Sequence, residues 1–375
     1  MKTLVCLVSK QTIPNYLFIK DHVEADDRLL FFYTEDSENF LVYLKNSLNL
    51  PNEIIAEKIN PEDWCEMFNQ IKSKILANQK YLVNFTCGTS YMSMALRRAF
   101  EGTDCDAEFF YTPYPKNIYL RLDKPNKNIE HRLKIDEYLS LYNVSKKNKG
   151  TKDLVESEEY TARFFELFVS GKINNLAGSP LDLLREYRKD GVKDIHETES
   201  NGTQKKPQIV GFSDFLEEIG FACATSNKLS KAEVKYLTGG WFEEYIYSLI
   251  KTRLNPDDIT MGLLIGDTQN DLDVVFTLGN KLFVCECKTG INKFTSGNVS
   301  SMFSEIVYKL AALKDSLGNL SANTYICALT PANELAEKIA IGFGQNYKDE
   351  DTFVVPEKTT QWIGELKNKA KLNTY

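Results

Sequence analysis

Histidine is scarce in this sequence. Only His22, His131 and His196 occur in 375 residues, so catalysis built on a histidine base is disfavoured. Eight cysteines are scattered without a CxxC pair, which leaves a zinc site without the clustered ligands it needs. Cys6, Cys285, Cys287 and Cys327 lie in apolar strand-like runs and read as small core residues of a reducing cytoplasm. No apolar run approaches the roughly 18 residues of a membrane helix, and MKTLVCLVSKQTIPN is apolar for too few residues to be a secretory signal. A cytoplasmic protein with no membrane partner is expected. Lysine and arginine number 45 against 52 aspartates and glutamates, a net charge of -7. That balance argues against indiscriminate coating of DNA, while leaving room for a local basic groove. No GxGxxG occurs, so a dinucleotide cofactor is unsupported, and no internal repeat is visible.

What is present falls into two α/β segments. TLVCLVS, RLLFFYT, EIIAEKI, YLVNFT, AEFFYT and NIYLRL read as strands. NFLVYLKNSL, DWCEMFNQIKSKILAN, with Asp63 near its N-cap, and SYMSMALRRAF read as helices. This rhythm predicts a largely parallel, Rossmann-like sheet over residues 1–145. Residues 146–209 change texture. Polar KKNKGTKD, with a linker near 143–153, and turn-rich HETESNGTQKKP flank helical EEYTARFFELFVSG and SPLDLLREYRKDG, a helical bridge. A second α/β unit is expected over 210–375. Its elements are GFSDFLEEIGF, a helix at GGWFEEYIYSLIKTRL, a β-hairpin, a helix near SSMFSEIVYKLAALKDSLG and a strand TYICALT.

The hairpin carries the chemistry. DVVFTL and KLFVCECK flank Gly279-Asn280, a two-residue turn signal. Period-2 alternation puts Leu282, Val284, Glu286 and Lys288 on one face. With Leu278 opposite Lys281, Asp273 falls opposite Glu286, where Cβ atoms stand about 4.5–5.5 Å apart. Two carboxylates so placed repel, and a divalent cation between them reverses the sign. Oxygen ligands suit Mg²⁺ or Mn²⁺. Such a metal polarises a phosphoryl group and acidifies a bound water, and Lys288 would neutralise developing charge. The alternative is a cross-strand surface pair. Asp271, on the same face, is the rival of Asp273.

In the first segment two strands run into polar loops, SKQTIPN and TCGTSYMSMAL, at the carboxyl edge of the expected sheet, where ligands bind. Gly88 permits close backbone approach. Thr86, Thr89 and Ser90 offer hydroxyls and amides near a helix N-terminus, which suits phosphate. The alternative is a plain helix cap after a buried strand.

Asp273 with Glu286-Cys287-Lys288 resembles the PD-(D/E)xK nuclease superfamily. That resemblance implies Asp273, Glu286, Lys288 and a glutamate of a preceding G-x-x-F-E helix as catalytic residues. Here the glutamate is Glu243 of GGWFEEYIYSLI, at the edge of the apolar stripe, while Glu244 reads as a solvated helix residue. The implied metal ligands are Asp273, Glu286, the Cys287 backbone carbonyl and, as a further candidate, Glu243. The two N-terminal loops resemble those of CARF domains. Gln11-Thr12-Ile13-Pro14-Asn15 matches a Q-x-x-P-N-like loop and Cys87-Gly88-Thr89-Ser90 a G-T-K/S-like loop. Cys87 and Ser90 depart from the more frequent glycine and lysine. The implied ligand-binding residues are Ser9, Gln11, Thr12, Pro14, Asn15, Thr86, Gly88, Thr89 and Ser90. An N-terminal CARF domain followed by a PD-(D/E)xK domain is similar to the CRISPR ancillary nucleases of type III systems. The resemblance implies a homodimer activated by a cyclic oligoadenylate, usually cyclic tetra-adenylate. With Mn²⁺ or Mg²⁺ it would cut single-stranded RNA or DNA, or nicked duplex. The rivals are a ligand-independent restriction or repair nuclease and a CARF-type transcription regulator.

Overall fold

The computed structural model describes residues 1–113, 116–147, 150, 153–173, 179–195, 200–201, 204–205, 211–223, 227–266, 271–289, 322–328, 352–354 and 359–371. The expected helix over 300–318 lies outside them.

Alternation along the first strands builds the N-terminal domain. In β1 (Thr3–Leu7), Leu4 and Cys6 point to one face, Val5 and Leu7 to the other, and all four are buried. A strand buried on both faces needs helices on both sides, and the chain supplies them. β1, β2 (Arg28–Tyr33), β3 (Glu53–Lys58), β4 (Lys80–Asn84) and β5 (Asp106–Tyr111) pair in parallel in the order β3-β2-β1-β4-β5. An antiparallel hairpin, β6 (Ile118–Arg121) and β7 (Lys124–Asn128), completes the seven-stranded sheet. α3 (Trp64–Lys72) and α4 (Ser90–Phe100) cover the face of Val5, Leu7, Tyr81 and Val83. α1 (Ile13–His22) and α2 (Glu38–Leu48) cover the face of Leu4, Cys6, Leu29 and Phe31. Asp63 caps α3 as expected, its side chain accepting from the Glu66 amide at 2.9 Å. The doubly wound sheet agrees with the sequence; the strand KPNKN of β7, fully exposed and without alternation, escaped it.

β8 (Ser200–Asn201) and β9 (Gln204–Lys205) form a two-stranded ribbon, α8 (Phe212–Glu218) follows, and five further strands make the second large sheet. β10 (Asp258–Leu263), β11 (Leu272–Leu278) and β12 (Lys281–Lys288) form an antiparallel meander, to which β13 (Ala322–Ala328) and β14 (Thr352–Val354) add in parallel. Gly279 and Asn280 both have positive φ, 58° and 63°, as a two-residue hairpin of this type requires. Leu278 opposes Lys281 and Val274 opposes Cys285, the register read from the sequence.

One face of this sheet, with Val274, Phe276, Phe283 and Cys285, packs on α10 (Trp241–Leu254) and on α11 (Thr359–Lys371) through Trp362 and Leu366. The bridge joins that same core. α6 (Glu158–Val169) sets Phe165 parallel to Tyr245 of α10, centroids 4.0 Å apart, and Phe164 against Trp241. Such aromatic pairs contribute about 0.5–1.5 kcal/mol each beyond their burial. Phe164, Phe165, Leu181, Leu184 and Tyr187, all from the expected bridge, thus share one hydrophobic cluster with α10.

The opposite face, with Val275, Leu282, Val284 and Ile326, joins the hydrophobic cluster of α1, α2 and α5 (Ile135–Ser140). The sheet of the second domain is thus sealed against the first. The hairpin turn is its polar anchor. Asn280, 0% exposed, accepts from the Leu133 amide at 2.8 Å and donates to Asn117 Oδ1 at 2.9 Å and the His131 carbonyl at 3.1 Å. Asn117 Nδ2 in turn donates to the Gly279 carbonyl at 2.9 Å. Truncating Asn280 strands these buried groups, each at about 1–3 kcal/mol. Asn280→Ala is expected to lower unfolding free energy by about 2–4 kcal/mol, read as a lower urea midpoint. An unchanged midpoint would show that the turn does not hold the domains together.

Candidate active site and ligand pocket

β11 and β12 carry their carboxylates to the end of the hairpin remote from its turn. One step beyond the Val274–Cys285 pair the register brings Asp273 to Glu286. Both are buried, 6% and 5% exposed. Asp273 Oδ2 accepts from the Cys287 amide at 2.6 Å, so the side chain takes the place of a ladder bond. Lys288 Nζ lies 2.7 Å from Glu286 Oε1 and 3.8 Å from Asp273 Oδ2. Burial, then the charge of Glu286, push Asp273 up to about 8, and Lys288 offsets only part of this. Burial alone would lower Lys288, but Asp273 and Glu286 outweigh it and push the ammonium up to about 12.

Asp271 stands just before β11, half-exposed, 3.6 Å from Lys235. Asp273 is the buried carboxylate beside Lys288, so the geometry favours it over its rival. Glu243, in the first turn of α10, also faces Lys235, at 3.9 Å. Burial raises its pKa, Lys235 draws it back, and Asp271 raises it again. Among the described residues no group of three or more His, Cys, Asp and Glu side chains is assembled as a metal site; Asp273 and Glu286 form a pair, and the charge of Glu243 adds to the rise of Asp273. Glu244 is not solvated as its helical position suggested. It is 5% exposed and accepts from the amides of Val155 at 2.9 Å and Glu156 at 3.5 Å, with burial pushing it up to about 7. The helical wheel missed this because the segment before α6 covers the face opposite the stripe.

The two N-terminal loops frame a concavity of about 390 Å³. Ser9, Gln11, Thr86, Gly88 and Thr89 line it. Thr89 is the N-cap of α4 and accepts from the Met92 amide at 3.2 Å. Gly88 has φ 86°, and a Cβ there would stand 3.2 Å from Met92 Cε and 3.3 Å from Leu7 Cδ1; a side chain here is strained, which favours glycine. Ser90, the first residue of α4, is exposed but outside the lining. Thr12, Pro14 and Asn15 are buried and lie off the pocket, because α1 begins at Ile13 and draws them into the domain. Thr12 Oγ1 donates to the Leu141 carbonyl at 3.2 Å, and Asn15 Nδ2 to the Leu7 carbonyl at 2.7 Å. Thr34, Asp36, Ser37 and Phe40 complete the wall from the β2–α2 connection. Their signal was the third strand-to-helix transition, RLLFFY into TEDSENF.

A carboxylate whose folded pKa is raised binds more protons folded than unfolded, so stability falls as pH rises from its unfolded value, about 3.9 for Asp, towards about 8. Protein stripped of divalent cations is therefore expected to have a lower urea midpoint at pH 8 than at pH 5, values chosen as roughly the ends of that window. Asp273→Asn should flatten this slope. An equal slope in both proteins would mean that Asp273 is not held proton-hungry by the fold.

The family model for the Card1 CARF domain matches residues 3–138, and that for the Card1-like endonuclease domain matches residues 230–345. No curated protein sequence matches the chain. Among solved structures the fold is similar to that of Can2 from Sulfobacillus thermosulfidooxidans in complex with cyclic tetra-adenylate, with 21% identity over 98% of this chain and 99% of that one, and a TM-score of 0.69. It is equally similar to protein VC1899 from Vibrio cholerae, with 16% identity over 99% and 98% and a TM-score of 0.69. A type III CRISPR defence DNA nuclease activated by cyclic oligoadenylate matches at 16% identity and a TM-score of 0.54, over 96% of this chain and 51% of its own. The chain joins a CARF domain of the Card1 type to a Card1-like endonuclease domain.

Proposed function

We propose that the protein is a metal-dependent nuclease switched on by a cyclic oligoadenylate, with cyclic tetra-adenylate as the activator. The observation that carries this reading is the buried Asp273–Glu286 pair with Lys288 at its side, on a hairpin whose turn is bonded to the CARF domain.

The donor set fits a hard divalent cation: two apposed carboxylates, one of them raised to about 8 by burial and by its neighbour, all oxygen ligands. Asp273, Glu286 and the Cys287 carbonyl would hold Mn²⁺ or Mg²⁺, with Glu243 as the candidate third acid. When bound, the ion would polarise the phosphoryl group and acidify a water. Lys288, fully charged at neutral pH, would neutralise the charge that develops on the phosphate oxygens. The Cys287 amide keeps Asp273 oriented. Substrates would be single-stranded RNA or DNA, or nicked duplex.

The activator would occupy the loop pocket. Thr86, Thr89 and the Gly88 backbone would meet its phosphates, and Asp36 offers a carboxylate to base or ribose donors. The pocket, at about 390 Å³, is small for a whole ring, and a symmetric ring is naturally shared by a two-fold homodimer. Tyr91 and Met94, exposed on α4, would supply apolar area for that pairing. The coupling route is the polar clamp at Asn280, since any shift of the 131–133 segment acts on the turn of the catalytic hairpin.

Glu286→Gln is expected to lower Mn²⁺-dependent cleavage by on the order of 10²–10³-fold while ring affinity stays within about twofold of the parent. Labelled RNA, single-stranded DNA and plasmid, each with and without the ring, provide the assay; parental cleavage by the variant would remove Glu286 from the mechanism. At the sensor, Gly88→Ala and Gly88→Asp share the strain of a positive φ, so only the second adds a charge facing the ring. Calorimetry should show Gly88→Asp binding cyclic tetra-adenylate at least about tenfold more weakly than Gly88→Ala. Equal affinities would place the ring elsewhere.

A further inference from the structure

The far side of the carboxylate site is cationic and the mechanism above does not use it. An open cavity of about 420 Å³ is lined by Arg188, Lys231, Ala232 and Lys235, within the size range of small-ligand sites. Lys235 ties it to the carboxylates, lying 3.9 Å from Glu243 and 3.6 Å from Asp271. Arg188 comes from the chain that follows α7 (Pro180–Leu183), in the segment with no role so far. Its guanidinium is held on one edge. Nε donates to Thr238 Oγ1 at 2.7 Å and Nη2 to the Thr238 carbonyl at 3.4 Å. Among the described residues neither Arg188 nor Lys231 has an ion-pair partner.

The two sites meet at Gly239. Its φ of 147° makes the kink in the Tyr236–Gly240 turn that joins α9 (Lys231–Lys235) to α10. A Cβ there would stand 3.4 Å from Thr289 Oγ1 and 3.6 Å from Arg188 Nη2. Thr289 directly follows Lys288, so the bare glycine lets the guanidinium approach the end of β12 that carries Glu286 and Lys288.

We infer that Arg188, Lys231 and Lys235 seat a backbone phosphate of the substrate strand, next to the phosphodiester that is cut. The inference rests on the nuclease reading and deepens it. A guanidinium fixed on one edge presents its other N–H groups to phosphate oxygens with little loss of freedom. Lys231 adds an exposed charge, and Lys235 exchanges weak carboxylate contacts for the phosphate. Recognition is of the backbone, so it serves RNA and DNA alike.

The test uses the full chain with saturating cyclic tetra-adenylate. Anisotropy of a short labelled single-stranded DNA, and of the same sequence as RNA, is measured in Glu286→Gln, which leaves substrate intact. Adding Arg188→Ala and Lys231→Ala together should weaken binding about tenfold and reduce the salt slope by about 1.4, at about 0.7 per contact on a single strand. Lys231→Ala alone, an exposed change that leaves the fold unperturbed, should give about half of that slope change. In the otherwise parental enzyme, Arg188→Ala should raise KM with kcat nearly kept, and Arg188→Lys, which keeps the charge without the planar fork, should restore only part of the loss. Parental affinity and salt slope in these variants, with the parent cutting normally, would overturn the phosphate seat and leave the nuclease reading standing. A parent that cuts neither polymer under any condition would overturn both.

Discussion

The two-residue turn at Gly279-Asn280 is the constraint on which both halves of the molecule depend. It fixes the β11–β12 register, and with a side-chain period of two, a slip of one residue would send Glu286 to the opposite face. The same asparagine is buried against Asn117, His131 and Leu133 of the N-terminal domain. A single residue therefore sets the opposition of the two carboxylates and ties the hairpin carrying them to the CARF domain. Its positive φ, natural to asparagine, allows the turn without strain.

Apposed buried carboxylates are unfavourable by themselves. Asp273 is raised by burial and by Glu286, and Lys288 answers only part of that charge. The surrounding structure holds the pair regardless: Val274 and Cys285 are packed on one side, Val275 and Val284 on the other. Rigid apolar packing on both faces of the sheet leaves the carboxylates no room to turn away. The pair is held in a fixed arrangement because the core around it is well filled.

The helical stretches between the two α/β units acquire a meaning from their contacts. Phe164 and Phe165 of α6 pack on the core of α10, Glu244 fastens the backbone that leads into α6, and Arg188 bonds Thr238 at the kink that precedes Glu243. A helical stretch with no visible role in the sequence thus places Arg188 in one wall of the candidate substrate cleft.

The doubly wound first domain, the hairpin and its register, the pairing of Asp273 with Glu286, and Ser9, Gln11, Thr86, Gly88 and Thr89 of the loop pocket were all legible in the sequence. Each rests on short-range rules: strand alternation, turn chemistry and strand-to-helix punctuation. Tertiary structure alone decided the rest. It buried Glu244 under the chain preceding α6, drew Pro14 and Asn15 into α1, added Thr34 and Asp36 to the pocket wall, merged the bridge with the second core, and brought Arg188 to within a glycine's width of Thr289. These are contacts between residues distant in the chain. Periodicity tells which side of an element is apolar, but not which other element will cover it, and that covering is what makes a polar side chain structural or exposes it to a substrate.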